Sequence, residues 1–226
     1  MSVSVITLDG PGGSGKGTIS RLVAERLGWH FLDSGALYRL VAYGALENGI
    51  DPEDSRALAE LARALPAEFT LNGSGEPEIR YAGKPVGGQL RTEAVGNAAS
   101  RVAAQPAVRE ALLQRQRDYA QAPGLVADGR DMGTVVFPDA PLKIFLTASL
   151  EERAQRRYNQ LKEQGVSASL DALFREIAER DERDANRTVA PLRPADDSIE
   201  VDTTGLTIDE VMDRVLALVR ERKLTS

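Results

Sequence analysis

Short, continuously apolar runs set the rhythm of this chain. Val3–Leu8, Leu125–Asp128, Leu142–Leu146 and Ser198–Asp202 are such runs, with a shorter one at His30–Asp33. A strand with one wet face alternates apolar and polar residues, whereas a strand covered on both faces does not. Between the runs the apolar positions recur at intervals of three and four. Lys16–Leu27 places Ile19, Leu22, Val23 and Leu27 on one helical side and stops at Gly28. Ile208–Arg222 repeats the pattern with Val211, Val215, Leu218 and Val219. Runs alternating with helices predict an α/β fold, its parallel sheet buried between two helical layers.

One segment departs from this rhythm. Glu68–Asn72 and Glu78–Tyr81 are short strand-like stretches on either side of Gly73-Ser74-Gly75, and Gly83-Lys84-Pro85 marks a further turn. Pro66–Gln89 is therefore expected to form a small antiparallel insertion. Within it, Gly87-Gly88-Gln89 reads as a turn. No internal repeat or low-complexity tract is present.

The first apolar run leads straight into chemistry. Gly10-Pro11-Gly12-Gly13-Ser14-Gly15-Lys16-Gly17-Thr18 follows it and opens the first helix. This fits the phosphate-binding pattern G-x-x-x-x-G-K-[ST], except that Gly17 takes the last place and Thr18 comes after. Glycines let successive backbone N–H groups turn inward around a phosphate, and the helix N-terminus adds partial positive charge. Lys16 can reach the outer phosphates of a nucleotide, and the Thr18 hydroxyl is a candidate for the shell of a Mg²⁺ ion.

Composition narrows the field. The 226 residues contain no cysteine, which excludes disulfides, thiolate catalysis and thiolate zinc sites. The single histidine, His30, cannot build a multi-histidine metal site, and a core or strand-edge place is expected for it. No apolar run approaches the ~20 residues of a membrane span. A cytoplasmic, membrane-free protein is expected. The net charge of −6 argues against polymeric nucleic acid as a partner. Yet only five of the 28 basic residues are lysine. Arginine is the residue that grips phosphate bidentately, so its positions matter.

Those positions form groups. Asp33-Ser34-Gly35-Ala36-Leu37-Tyr38-Arg39 follows one strand, with Ser34 suited to a helix N-cap, and Asp128-Gly129-Arg130-Asp131 follows another. Open parallel sheets bind ligands beyond the carboxyl ends of their strands. Ser34, Arg39, Arg130 and Asp131 are thus expected to gather beside the phosphate loop. A helix-capping role is the structural alternative for Asp128 and Asp131, and a surface ion pair for the arginines. Arg180, Asp184 and Arg187 share one helical face by spacing, and Arg153, Arg156 and Arg157 lie in a helix beginning near Ser149. Each set could be a solvated charge ladder. Three arginine groups around one phosphate loop suit phosphoryl transfer between two anions better than simple hydrolysis.

With these motifs assembled, the chain resembles the nucleoside monophosphate kinases, and among them the bacterial cytidylate kinase family. The likeness is carried by Gly15-Lys16-Gly17-Thr18, Leu32–Arg39, Asn97-Ala98-Ala99-Ser100, Val108–Leu112, Asp128–Pro138 and Arg180–Arg187, and it covers nearly the whole chain. It implies transfer of the γ-phosphoryl of ATP to CMP or dCMP with Mg²⁺ as cofactor. The implied ATP site is Gly10–Thr18, and the implied catalytic residues are Lys16, Arg130, Arg153 and Arg157. The CMP phosphate would be held by Arg39, Arg130 and Arg187 with Ser34 nearby. The base would be read by Ser100, Arg109 and Asp131, and the sugar by Arg180 and Asp184. The implied fold is a P-loop three-layer sandwich with a five-stranded parallel sheet, the antiparallel insertion and a helical lid. It would be one domain over residues 1–226, with a monophosphate-binding subdomain at about 34–100 and a lid at about 149–169. Arg153, Arg156 and Arg157 would ride on that lid and close over the ATP phosphates.

Other P-loop classes fit less well. A guanine-reading Asn-Lys-x-Asp motif is absent, which argues against a GTPase. A kinase for another monophosphate or small acceptor, such as adenylate or shikimate, shares the loop but not the Asp128–Pro138 or Asn97–Ser100 blocks. A non-catalytic nucleotide-binding module would not need Lys16 together with three arginine clusters. A monomer is expected, because no long apolar surface stripe is left unassigned.

Overall fold

The computed structural model describes residues 3–71, 73 and 77–224. In chain order the elements are β1 (Ser4–Asp9), α1 (Lys16–Leu27), β2 (His30–Asp33), α2 (Ser34–Glu47), α3 (Ser55–Arg63), β3 (Ala67–Leu71), β4 (Pro77–Tyr81) and β5 (Lys84–Pro85). There follow α4 (Glu93–Val102), α5 (Pro106–Arg117), β6 (Gly124–Gly129), β7 (Leu142–Thr147), α6 (Leu150–Glu163), α7 (Leu170–Ala185), β8 (Ile199–Asp202) and α8 (Ile208–Glu221). They fall into two compact units, residues 1–33 with 116–226, and residues 34–115.

The first unit is an α/β P-loop fold. Its five strands are all parallel, in the order β2-β6-β1-β7-β8. Every residue of β6, and all but the first of β1, is buried, as the unbroken apolar runs demand. Ile6 and Leu8 of β1, with Ile144 and Leu146 of β7, pack into one cluster with Ile19 and Val23 of α1 and Val211, Val215 and Val219 of α8. Each such side chain contributes ~1.5–3 kcal/mol by leaving water. Leu22, Leu27 and Leu218 are only half-buried, and Ala24 joins the α1 core instead. The apolar stripe predicted for α1 is therefore rotated slightly towards its smaller residues. Gly28, at φ 65°, ends α1 as a left-handed cap. A Thr207–Glu210 capping box starts α8, which ends at Glu221 with Arg222 as its cap.

The second unit holds the antiparallel insertion. Ala67 pairs with Tyr81 and Phe69 with Ile79. Lys84 and Pro85, read from the sequence as part of a turn, add a third short strand beside Arg80 and Tyr81. The turn itself is the positive-φ pair Ala82-Gly83. Ser74 and Gly75 of the other expected turn lie outside the described residues, as does Asn72. Arg115 of α5 donates to the carbonyls of Leu65 and Ala67 and ties this sheet down. Gly88 precedes a single 3₁₀ turn at Gln89–Arg91, in agreement with a turn reading there. Ser34, expected as an N-cap, is instead the first helical residue of α2 and is buried. The strand runs into the helix without the intervening residue that a side-chain cap needs.

His30 lies on the edge strand β2, exposed, with Nε2 3.0 Å from the carbonyl of Ala122. This is the strand-edge place expected of it. No helix among the described residues is long and apolar enough to cross a membrane.

Candidate active site

The loop Gly10–Gly15 leaves the carboxyl end of β1, the central strand, so strands on both sides crowd it. A Cβ on Gly10 would stand 2.0 Å from the carbonyl oxygen of Leu146 in β7, and φ there is 149°. Only glycine fits. Gly17, where the general pattern has a hydroxyl residue, faces Asp128 at the end of β6. A Cβ there would come within 3.1 Å of Oδ2. The departure from the motif thus makes room for a buried carboxylate beside the loop.

Lys16 opens α1 and is buried. Its Nζ donates to the carbonyl of Pro11 at 3.2 Å and lies 4.0 Å from Oδ1 of Asp128. Burial, then the charges of Arg130 and Arg180, lower its pKa to about 8, against the opposing pull of Asp128. The ammonium is thus held among cations that a bound anion would neutralise. Thr18 is exposed on the first turn of α1.

The segment after β6 is fixed from across the sheet. Asp9, the last residue of β1, accepts hydrogen bonds from the backbone N–H groups of Met132 and Gly133, both at 2.8 Å. Burial raises the Asp9 pKa to about 7 despite those bonds, with Asp131 and Asp128 adding to the rise. The π-helical turn Met132–Val136 is therefore capped by Asp9 and not by its neighbour. Asp131 makes no side-chain capping bond there, although it is buried. This removes the capping alternative for Asp131.

Arg130 connects three elements. Its guanidinium lies against the loop, since a Cβ on Gly12 would be 3.5 Å from Nη2. Its Nε donates to Oδ2 of Asp184 on α7 at 2.9 Å. The other oxygen of Asp184 accepts from Arg187 at 2.5 Å. Burial alone would raise the Asp184 pKa, but Arg130 first and Arg187 next outweigh it and hold it at about 2. Burial likewise opposes the charge on Arg130, and Asp184 more than restores it, raising the arginine pKa. Arg187 does not share the helical face that its spacing suggested. Helix α7 ends at Ala185 with Asn186 as cap, and Arg187 folds back to Asp184 from beyond the end.

Helix α6 begins at Leu150 with the Ser149 hydroxyl capping the N–H of Glu152. Two of its arginines, Arg153 and Arg156, meet the outside of the loop. Arg153 donates to the carbonyls of Gly12 (3.1 Å) and Ala148 (3.0 Å) and pairs with Asp181 of α7 at 2.6 Å. Arg156 reaches Thr203 and, at 3.5 Å, the Ser14 carbonyl. Arg157 donates to Gln160 on its own helix at 2.7 Å. Lys16, Arg130, Arg153, Arg180, Asp184 and Arg187 therefore belong to one charged network around the loop.

In the second unit, Ser100 on α4 and Arg109 on α5 are buried and Arg39 on α2 is half-buried. Arg109 stacks over the Tyr38 ring, 5.7 Å from its centroid, and donates to the carbonyl of Ala103 at 3.2 Å. A guanidinium seated on an aromatic face and pinned at one edge is pre-oriented for a planar partner.

The family model for cytidylate kinase matches residues 6–221. The chain belongs to the cytidylate kinase family. It is 58% identical over 223 residues to the cytidylate kinase of Stutzerimonas stutzeri, covering 98% of this chain and 97% of that one. It is 54% identical over 219 residues to the cytidylate kinase of Shewanella loihica, covering 96% and 95%. A crystal structure of TT1252 from Thermus thermophilus shares the fold at 19% identity with a TM-score of 0.51, covering both chains in full.

Three further residues bonded around this site, Asp9, Thr203 and Asp181, are not among the candidates read from the sequence. Asp9 carried a signal, because a carboxylate closing an otherwise apolar strand is out of place unless it has partners. Thr203 follows β8 directly, at the carboxyl end where sheet ligands gather. Asp181 sits among so many charges that spacing alone cannot separate it from its neighbours.

Proposed function

We propose that the chain is a cytidylate kinase that moves the γ-phosphoryl group of ATP to the phosphate of CMP or dCMP, reversibly and with Mg²⁺. The observation that carries this reading is the arginine network around Lys16 in a chain of this family. An acceptor that is itself an anion requires more positive charge than water would. An oxygen of the CMP phosphate attacks the γ-phosphorus, the bond to the bridging oxygen breaks, and ADP leaves. The attacking oxygen is already anionic, so no general base is needed. Lys16 and the backbone N–H groups of the loop Gly10–Thr18, all but Pro11, hold the ATP phosphates. Arg130 and Arg187, set by Asp184, face the transferring group and the CMP phosphate. The resemblance assigns Arg39 and Ser34 to that phosphate as well, Ser100, Arg109 and Asp131 to the base, and Arg180 and Asp184 to the sugar. Asp131 can accept from the cytosine amine but cannot donate to a uracil carbonyl.

The residues present suit Mg²⁺. The carboxylate of Asp128 beside Lys16 and the exposed hydroxyl of Thr18 are hard oxygen donors next to the loop. No cluster of three or more acidic, histidine or cysteine residues that could hold a metal occurs among the described residues. Mg²⁺ commonly binds through one or two carboxylates plus substrate phosphates rather than in such a cage. When bound it would neutralise phosphate charge.

In this proposal residues 34–100 serve as the monophosphate-binding subdomain and 149–169, with Arg153 and Arg157, as a lid that excludes water. The protein works as a cytoplasmic monomer. Its large exposed apolar residues, such as Leu46, Val166 and Ile208, are far apart in sequence and lie on different helices and loops. The test is ADP release from ATP across CMP, dCMP, UMP, AMP, GMP and shikimate. CMP and dCMP should give the highest kcat/KM. Rates no greater than with ATP alone for both cytidylates, or a clear preference for AMP or shikimate, would reject the proposal.

A further inference from the structure

We infer that Thr203 is a positioning residue for the phosphate loop, acting on its outer side through one carbonyl. Thr203 lies just past β8 and is 2% exposed. Its hydroxyl is 3.1 Å from the carbonyl oxygen of Ser14 and 2.9 Å from that of Thr147 at the end of β7. The one hydroxyl proton serves these two acceptors, and the Thr147 carbonyl already accepts the Thr203 backbone N–H at 2.9 Å. Arg156 completes the arrangement. It donates to the Thr203 hydroxyl at 3.1 Å and to the Thr203 carbonyl at 2.7 Å, and Glu152 holds its Nε at 2.8 Å. Its own approach to the Ser14 carbonyl is longer, at 3.5 Å.

The consequence follows from the planar peptide. In a trans peptide the C=O of one residue and the N–H of the next point in opposite directions. Holding the Ser14 carbonyl outward, towards Thr203, aims the Gly15 N–H to the other side, into the loop. The same logic applies to Gly12, whose carbonyl is held by Arg153 at 3.1 Å, and to the N–H of Gly13. A phosphate cradle works only if its donors already point at the anion. Thr203 thus supplies pre-orientation without touching the nucleotide. Arg156, implied by resemblance to close over ATP phosphates, here shares that outer frame.

This inference takes the loop as the ATP site of the proposed reaction, and its test separates the two. ATP is titrated calorimetrically with Mg²⁺ into the full-length parent, T203V and T203S, and KM is measured for ATP and for CMP. Valine keeps the shape and removes the hydroxyl; serine keeps the hydroxyl. T203V should bind ATP about tenfold more weakly, the worth of about one hydrogen bond. Its KM for ATP should rise to match, while KM for CMP stays within about twofold, and T203S should resemble the parent. Parent-like ATP affinity in T203V would overturn the inference, as would equal losses in T203V and T203S. A T203V chain that fails to fold beside a T203S chain that folds would overturn it too, because the hydroxyl would then support the whole fold. If the parent binds ATP but phosphorylates no cytidylate, the proposed function falls while the ATP titrations still decide the role of Thr203.

Discussion

Asp184 joins two arginines in a nearly dry place, and replacing it with asparagine should be felt in a pH-dependent way. The carboxylate gives one oxygen to Arg130 and the other to Arg187. Asparagine offers one acceptor; its amide NH₂ turns a donor towards the second guanidinium, and the negative charge between two cations is lost. The magnitude follows from linkage. The Asp184 pKa falls from an ordinary 3.8 to about 2 in the folded protein. At about 1.36 kcal/mol per pH unit, that is worth about 2 kcal/mol of stability at neutral pH. The pKa is depressed, so the contribution is complete above about pH 4 and is lost as pH falls through 2. Urea denaturation of parent and D184N at pH 7 and pH 3 reads this directly. The gap should be about 2 kcal/mol at pH 7, or more if the stranded guanidinium is not rehydrated, and about half of that at pH 3. A gap of the same size at both pH values would refute the reasoning, because it would not arise from the charge of Asp184. A gap below about 0.5 kcal/mol at pH 7 would return the cluster to a solvated charge ladder.

Three further outcomes are expected. Lys16→Ala should lower turnover by about 10²–10³ while KM for CMP changes little, because its charge acts on the phosphoryl group in transfer; steady-state turnover within a factor of a few of the parent would count against it. Asp131→Asn should erode the preference for CMP over UMP, since an amide can donate to a uracil carbonyl, and an unchanged ratio of kcat/KM values would show that Asp131 reads no base. For Asp9→Asn the sign runs the other way from Asp184, because the Asp9 pKa is raised, to about 7. The parent's stability relative to D9N should drop on the order of 2 kcal/mol between pH 5 and pH 8, and urea midpoints that move in parallel would contradict this.

The sheet could be read from the chain because burial on both faces leaves only one kind of residue. Lys16–Leu27 and His30–Asp33 have the expected bounds, and the other four strands differ by a residue or so at their ends. Lys84 and Pro85 escaped because a strand of two residues has no period. The misplaced features of the site are of another kind. Spacing puts Arg187 on α7, which ends two residues before it, since a run of charged residues carries no mark of where a helix stops. Arg153 and Arg156 were legible as cationic, but a guanidinium has five donors and sequence does not say which acceptors they meet. Asp9 and Thr203 act through backbone carbonyls and N–H groups of distant segments, and such partners have no letter of their own.

The place of β1 in the sheet has a consequence for how the chain is made. Its neighbours on either side are β6 and β7, and β2, the next strand to be synthesised, joins the far edge of β6. Roughly 115 residues separate the end of β1 from the start of β6. At ~5–20 residues per second, a nascent chain carries β1 for roughly 6 to 23 s with neither edge hydrogen-bonded to its native partner. An apolar strand with two open edges invites pairing with other chains. During that interval the second unit, residues 34–115, is synthesised entire. Nucleotide capture therefore reports late in biogenesis: the loop has its sequence from the first seconds but acquires its walls only when the last strand, β8, arrives.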